Sequence, residues 1–296
     1  MLVAACVALA GCGAGEAGKA VAPILTWGQS GTLDGWFSLP RVIDSDSSGT
    51  VYVIDKTGRV QLFSPDGAFL SGWQLPAMDN GKPTGMCIGP DGHLYIADTH
   101  NSRIVVYSRD GKLLRQWGTY GTGPGQFIYA TDVAVNDRGE VFATDYGKAD
   151  RVMKFDADGR FLTAWGTPGE GPGEFQRPMA IALDGRGHAY VADTANHRVQ
   201  KFTEDGRLVH TVGGLGKEMG RMKYPYDVAV GEDGVYVCEY GNCRVQKLTL
   251  SGEPVMCWGS PGRDPGMFAQ PWGVTSRGGS VFVADTGNHR IQKFRL

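Results

Sequence analysis

The chain has 296 residues, with 29 Lys and Arg against 31 Asp and Glu. That balance argues against a nucleic-acid surface, or one for anionic membranes, on the scale of the whole protein. Its 45 Gly and 15 Pro follow no collagen period and point to many tight turns.

The chain opens on MLVAACVALAGC, an apolar run ending in Leu9-Ala10-Gly11-Cys12. These four residues resemble the lipobox of bacterial lipoprotein signal peptides, in which cleavage before the Cys leaves its thiol to carry diacylglycerol. The resemblance implies a signal peptide over residues 1–11, lipidation of Cys12, and an extracytoplasmic protein lipid-anchored to a bacterial membrane. No Lys or Arg precedes the run, a departure from the positive start of such peptides, so a start further upstream is expected. Residues 12–23 read as a flexible tether. ILTW, ending at Trp27, then reads as a single short strand standing alone.

Beyond it the chain repeats itself. VIDKTGRVQLF from Val53, IADTHNSRIVVY from Ile96, ATDYGKADRVMKF from Ala143, VADTANHRVQKF from Val191, VCEYGNCRVQKL from Val237 and VADTGNHRIQKF from Val283 are copies of one segment. They recur about every 43 to 48 residues, a spacing that suits propeller blades. Each unit holds four runs rich in β-branched and aromatic residues, separated by turn signals. In the fourth unit these are MAIALD, HAYVADT, HRVQKFT and LVHTV. Four antiparallel strands follow from that pattern, and no window carries a capped helical period. The expected fold is all-β: a six-bladed β-propeller of four-stranded antiparallel blades, one domain over residues 24–296. The sixth unit stops after its third strand, while earlier units end in Trp-Gly at Trp117-Gly118, Trp165-Gly166 and Trp258-Gly259. The orphan strand ending in Trp27-Gly28 is therefore predicted to complete blade six and close the ring, removing an open seam of unpaired strand edges.

The pattern WG, GPGxF, a Pro and then YVADTxNxRIQKF resembles the NHL repeat, over nearly all of the chain from Ile24 to Leu296. The resemblance implies a six-bladed propeller. NHL propellers include protein-binding and RNA-binding modules, sensor domains of bacterial kinases, and a zinc-dependent amidating lyase. That lyase needs His ligands at the channel, and none of the six histidines here falls at the mouth of an inner strand, so no metal site is assigned. RNA binding is disfavoured by the balanced charge and by export.

An acid ends the second strand of every unit, at Asp55, Asp98, Asp145, Asp193, Glu239 and Asp285. An Arg opens the third, at Arg59, Arg103, Arg151, Arg198, Arg244 and Arg290. Six copies around a ring cannot form one catalytic centre, so a structural turn clamp is expected. Cys238 and Cys243 flank the turn CEYGNC, compatible with a disulfide or with two unpaired thiols in a tight hairpin.

Function is sought where the blades differ. Near the start of the inner strands stand Arg41, Thr84, Thr131, Asp132, Met179, Tyr226, Asp227 and Trp272, and the adjacent turns add Tyr146 and Tyr240. Aromatics with scattered polar groups suit a protein, peptide or glycan partner at one mouth of the channel. The expectation is a monomeric, non-enzymatic binding or scaffold module without cofactor, with no nucleic-acid partner. The alternative is a metal-assisted lyase or lactonase-like hydrolase, in which Asp132 and Asp227 offer hard oxygen ligands to calcium or another divalent ion.

Overall fold

The computed structural model describes residues 21–76 and 80–296. The signal-peptide and lipidation readings at residues 1–11 and Cys12 lie outside the described residues, as does most of the tether. Six four-stranded antiparallel sheets stand around a channel. Their innermost strands are Pro40–Ser45, Gly85–Ile88, Tyr129–Val135, Pro178–Leu183, Pro225–Gly231 and Gly273–Arg277. Each successive strand lies further out, as the order of runs in the repeat requires. Among the described residues the only helical segments are three single turns at Thr99–Asn101, Thr194–Asn196 and Thr286–Asn288.

The ring closes as the orphan strand predicts. Leu25–Trp27 pairs antiparallel with Arg290–Arg295, Leu25 opposite Lys293 and Trp27 opposite Ile291. The indole of Trp27 then packs 5.9 Å from Phe63 of blade one and 6.1 Å from Phe282 of blade six. Val21, read as tether, packs against the core between blades five and six.

Apolar residues facing the neighbouring blade form the core, including Phe37, Phe127, Phe175 and Phe268, all fully buried. Each of these rings lies against the Gly of a Trp-Gly pair. A Cβ at Gly259 would come within 2.5 Å of Phe268, and one at Gly28 within 2.4 Å of Phe37. Both glycines also have positive φ, +99° and +92°, so the repeated Gly answers two constraints at once.

All six clamps close. Arg59–Asp55, Arg198–Asp193, Arg244–Glu239 and Arg290–Asp285 meet at 2.6 Å, Arg103–Asp98 at 2.7 Å and Arg151–Asp145 at 3.5 Å. The guanidinium does more than hold its acid. Arg198 also donates to the carbonyls of Glu170, Gly171 and Glu174, tying the turn to the GPG loop of its own unit. Blade two lacks that loop sequence, and there Arg103 turns to Gln116 Oε1 at 2.9 Å. In blade three the Asn and Gln that support the acid in blades four, five and six are absent, and one oxygen of Asp145 has no hydrogen-bond partner. Burial pushes that carboxyl up to about 6.

The blade-five cysteines are both free. Register explains why: Cys238 faces Val245 across the hairpin, while Cys243 sits in the turn with φ 51°. Cys238 is buried in the interblade core instead.

Candidate binding site at the channel mouth

The turn between the second and third strands and the loop entering the first strand lie at the same end of every blade. Side chains from all six blades reach this mouth. The Arg41 guanidinium of blade one lies 4.5 Å from the centre of the Trp272 ring of blade six. Tyr226 of blade five contacts Trp272 edge-on at 4.7 Å and stacks on Tyr240 at 4.6 Å. From blade four, Arg177 reaches over both Tyr146 and Tyr226, at 5.6 and 5.8 Å. Tyr146 stacks on Tyr129 of its own blade at 5.1 Å, and His100 of blade two meets Tyr129 at 5.8 Å. The result is a belt of aromatic rings interrupted by two arginines.

Of the residues expected at the mouth, Arg41, Tyr146, Tyr226, Tyr240 and Trp272 belong to this belt. Thr84 and Thr131 do not present free hydroxyls. Each donates across a blade boundary, Thr84 Oγ1 to the carbonyl of Thr131 at 2.8 Å and Thr131 Oγ1 to that of Pro178 at 2.7 Å. Met179 is buried. Thr84 and Thr131 thus tie neighbouring blades together, and Met179 is lost to the interior.

Asp132 and Asp227 lie one step down the channel and act as staples. Asp132 Oδ2 accepts the Ile181 N–H of blade four at 2.9 Å, and Asp227 Oδ2 accepts the Val274 N–H of blade six at 2.7 Å. Asp44 of blade one does the same one layer deeper, accepting the Ile88 N–H of blade two at 2.7 Å. Sequence reasoning misses Asp44 because it weighs the two positions that follow the Pro-like residue, and Asp44 stands four residues after Pro40. All three carboxylates line a channel cavity of about 240 Å³ below Arg41, Tyr226 and Trp272. Burial pushes each of them up, Asp227 to about 8, and the neighbouring charge of Asp227 raises Asp132 further. Among the described residues, no group of three or more His, Cys, Asp or Glu is placed to hold a metal ion.

Arg177 and Tyr129 are the other omissions. Both precede the Pro-like position, where Leu39, Arg177, Tyr224 and Gln270 adopt a left-handed φ of 50–56°. An acceptor from the preceding blade holds this unusual backbone: Asp150 takes the Arg177 N–H at 2.9 Å, and His197 Nδ1 takes the Tyr224 N–H at 3.1 Å. His289 Nδ1 stands equivalently, 3.2 Å from Leu39 N. The visible signal for Arg177 in the sequence was only a residue before a Pro, and Tyr129, which precedes Ala130, lacks even that.

A model of the family described as "NHL repeat" matches residues 80–107, 175–202 and 268–294, the start of three alternate blades. The chain carries NHL repeats. Among curated proteins, this NHL propeller is 40% identical over 52 residues to the RING finger protein nhl-1 of Caenorhabditis elegans. It is 29% identical over 65 residues to the protein brain tumor of Drosophila melanogaster. These matches take in 18% and 22% of the chain, and only 5% and 6% of the length of those relatives. Among solved structures, a virginiamycin B lyase from Staphylococcus aureus superposes with TM-score 0.64 at 15% identity, over 88% of this chain and 95% of that one. A structural genomics protein from Bacteroides thetaiotaomicron gives 0.68 at 18% identity, over 93% and 75%. At such identities the likeness concerns the fold.

Proposed function

We propose that this NHL propeller is an extracytoplasmic binding module, anchored through Cys12, that recognises a protein, peptide or glycan at the mouth of its channel. The convergence of Arg41, Trp272, Tyr226, Tyr240, Arg177 and Tyr146 from five blades carries this reading. Rigid aromatics and arginines are the residue types that most often dominate binding energy. The scaffold hydrogen bonds leave these side chains free, whereas they consume Thr84, Thr131 and the clamp residues.

The test is crosslinking in intact cells, comparing wild type with the double variant Trp272→Ala/Tyr226→Ala. Loss of the captured species at unchanged protein level is the expected result; an unchanged capture pattern would place the binding surface elsewhere. Cell fractionation of Cys12→Ser checks the anchor, with the protein expected to leave the membrane fraction.

A further inference from the structure

Arg41 stands apart from every comparable arginine in the molecule. Eight arginines among the described residues are buried or half-buried: Arg41 and seven others, and all seven others form an ion pair with a carboxylate. Arg41 forms none, and its buried Nε has no hydrogen-bond partner. Leaving a half-buried guanidinium without an anion costs free energy unless something outside the chain supplies one. Arg177, across the belt, is likewise in no ion pair among the described residues, and it rests on tyrosine faces. Two cations therefore converge on one aromatic mouth with no anion of their own.

We infer that the mouth takes a hexuronate unit of an acidic glycan, its carboxylate on the Arg41 and Arg177 guanidiniums and its ring against Trp272 and Tyr226. This rests on the mouth being the binding surface. Guanidiniums offer paired donors that match a carboxylate, and aromatic faces bury the C–H face of a sugar ring. The cavity below adds a second requirement. It is about 240 Å³ in volume, on the scale of one sugar unit, and is lined by Asp132 and Asp227. Their carboxyl groups can exchange hydrogen bonds with hydroxyls, of which a sugar ring presents several at fixed spacing. A broad protein interface is less well supported. The exposed Leu33, Tyr120 and Leu215 around the same end belong to blades one, three and five, and so form no single patch.

Calorimetric titration of the full chain with trimers of galacturonate and of mannuronate tests this, alongside their methyl esters and a hexaglutamate peptide. At least one trimer is expected to bind, with affinity falling at least tenfold on esterification and in Arg177→Gln, an exposed change that leaves the core intact. Arg41→Gln is expected to act in the same direction. Equal binding of the esters would overturn the carboxylate assignment while leaving the mouth as the site. Tighter binding of hexaglutamate would replace the glycan with an acidic peptide, and no binding of either trimer would overturn the inference. Trimer binding that survives Trp272→Ala would remove the mouth itself as the site.

Discussion

Arg41 lies 4.5 Å over Trp272, and the two residues come from the first and the last blade of the ring. Their contact spans the seam that the N-terminal strand helps to close. The candidate site thus straddles the seam, and its geometry depends on the same closure that stabilises the fold.

That dependence makes Trp27 a sensitive position. Its ring joins Phe63 of blade one to Phe282 of blade six. Trp27→Ala is expected to cost about 3 kcal/mol, as for other large aromatic truncations, and to lower the melting temperature by roughly 6–12 °C. Deleting residues 24–27 should cost more, since it also exposes the edge of Arg290–Arg295. Thermal melts followed by circular dichroism check both; a deletion that melts like wild type would refute closure by this strand.

The clamps are expected to differ in strength by blade. Arg198 meets a fully buried Asp193 at 2.6 Å and holds three loop carbonyls. Removing it leaves that acid buried and unpaired, so Arg198→Ala should cost about 3–4 kcal/mol. Arg198→Lys should recover only part of this, because an ammonium cannot reproduce the planar fork. Arg151→Ala should cost less, since its pair is already long at 3.5 Å and Asp145 titrates near 6. Urea denaturation of the three variants at pH 7 gives the order; equal losses at Arg151 and Arg198 would contradict it.

The channel acids predict an alkaline sensitivity. Asp227 has a folded pKa of about 8, raised by burial from an ordinary 3.8, so the folded state keeps a proton that the unfolded chain has released. Its contribution to stability is full below the ordinary value and is lost as pH rises through about 8. Stability should accordingly fall between pH 6 and 8, by at most about 1.4 kcal/mol per pH unit for one proton. Asp227→Asn keeps an acceptor for the Val274 N–H and should flatten this slope. Denaturation midpoints at pH 6, 7 and 8 measure it, and a variant as steep as wild type would assign the slope to other groups.

Much of the fold was legible because each blade states its plan locally. The acid of strand two and the Arg of strand three recur four to six residues apart in every blade, Trp-Gly closes four of them, and six noisy copies reinforce one another. The site was only partly legible, for the opposite reason. Arg41, Tyr226 and Trp272 stood out as departures from the repeat, yet so did Thr84 and Thr131, which the structure commits to blade contacts, and Met179, which it buries. Cys238 and Cys243 were close in sequence but were separated by register.

By itself, the sequence determined the blade count, the strand order within each blade and the strand that closes the ring. Those properties follow from periodic apolar patterning and from turn residues within a few positions of one another. Only the tertiary structure decided which side chains share the mouth and which are spent on scaffolding. The partners of Thr131 and Asp132 lie 47 and 49 residues away on the next blade. Arg177 reaches the belt from a left-handed backbone whose N–H is held by Asp150 of the blade before it, 27 residues earlier in the chain. Contacts of that kind are set by how blades pack, and no local pattern encodes them.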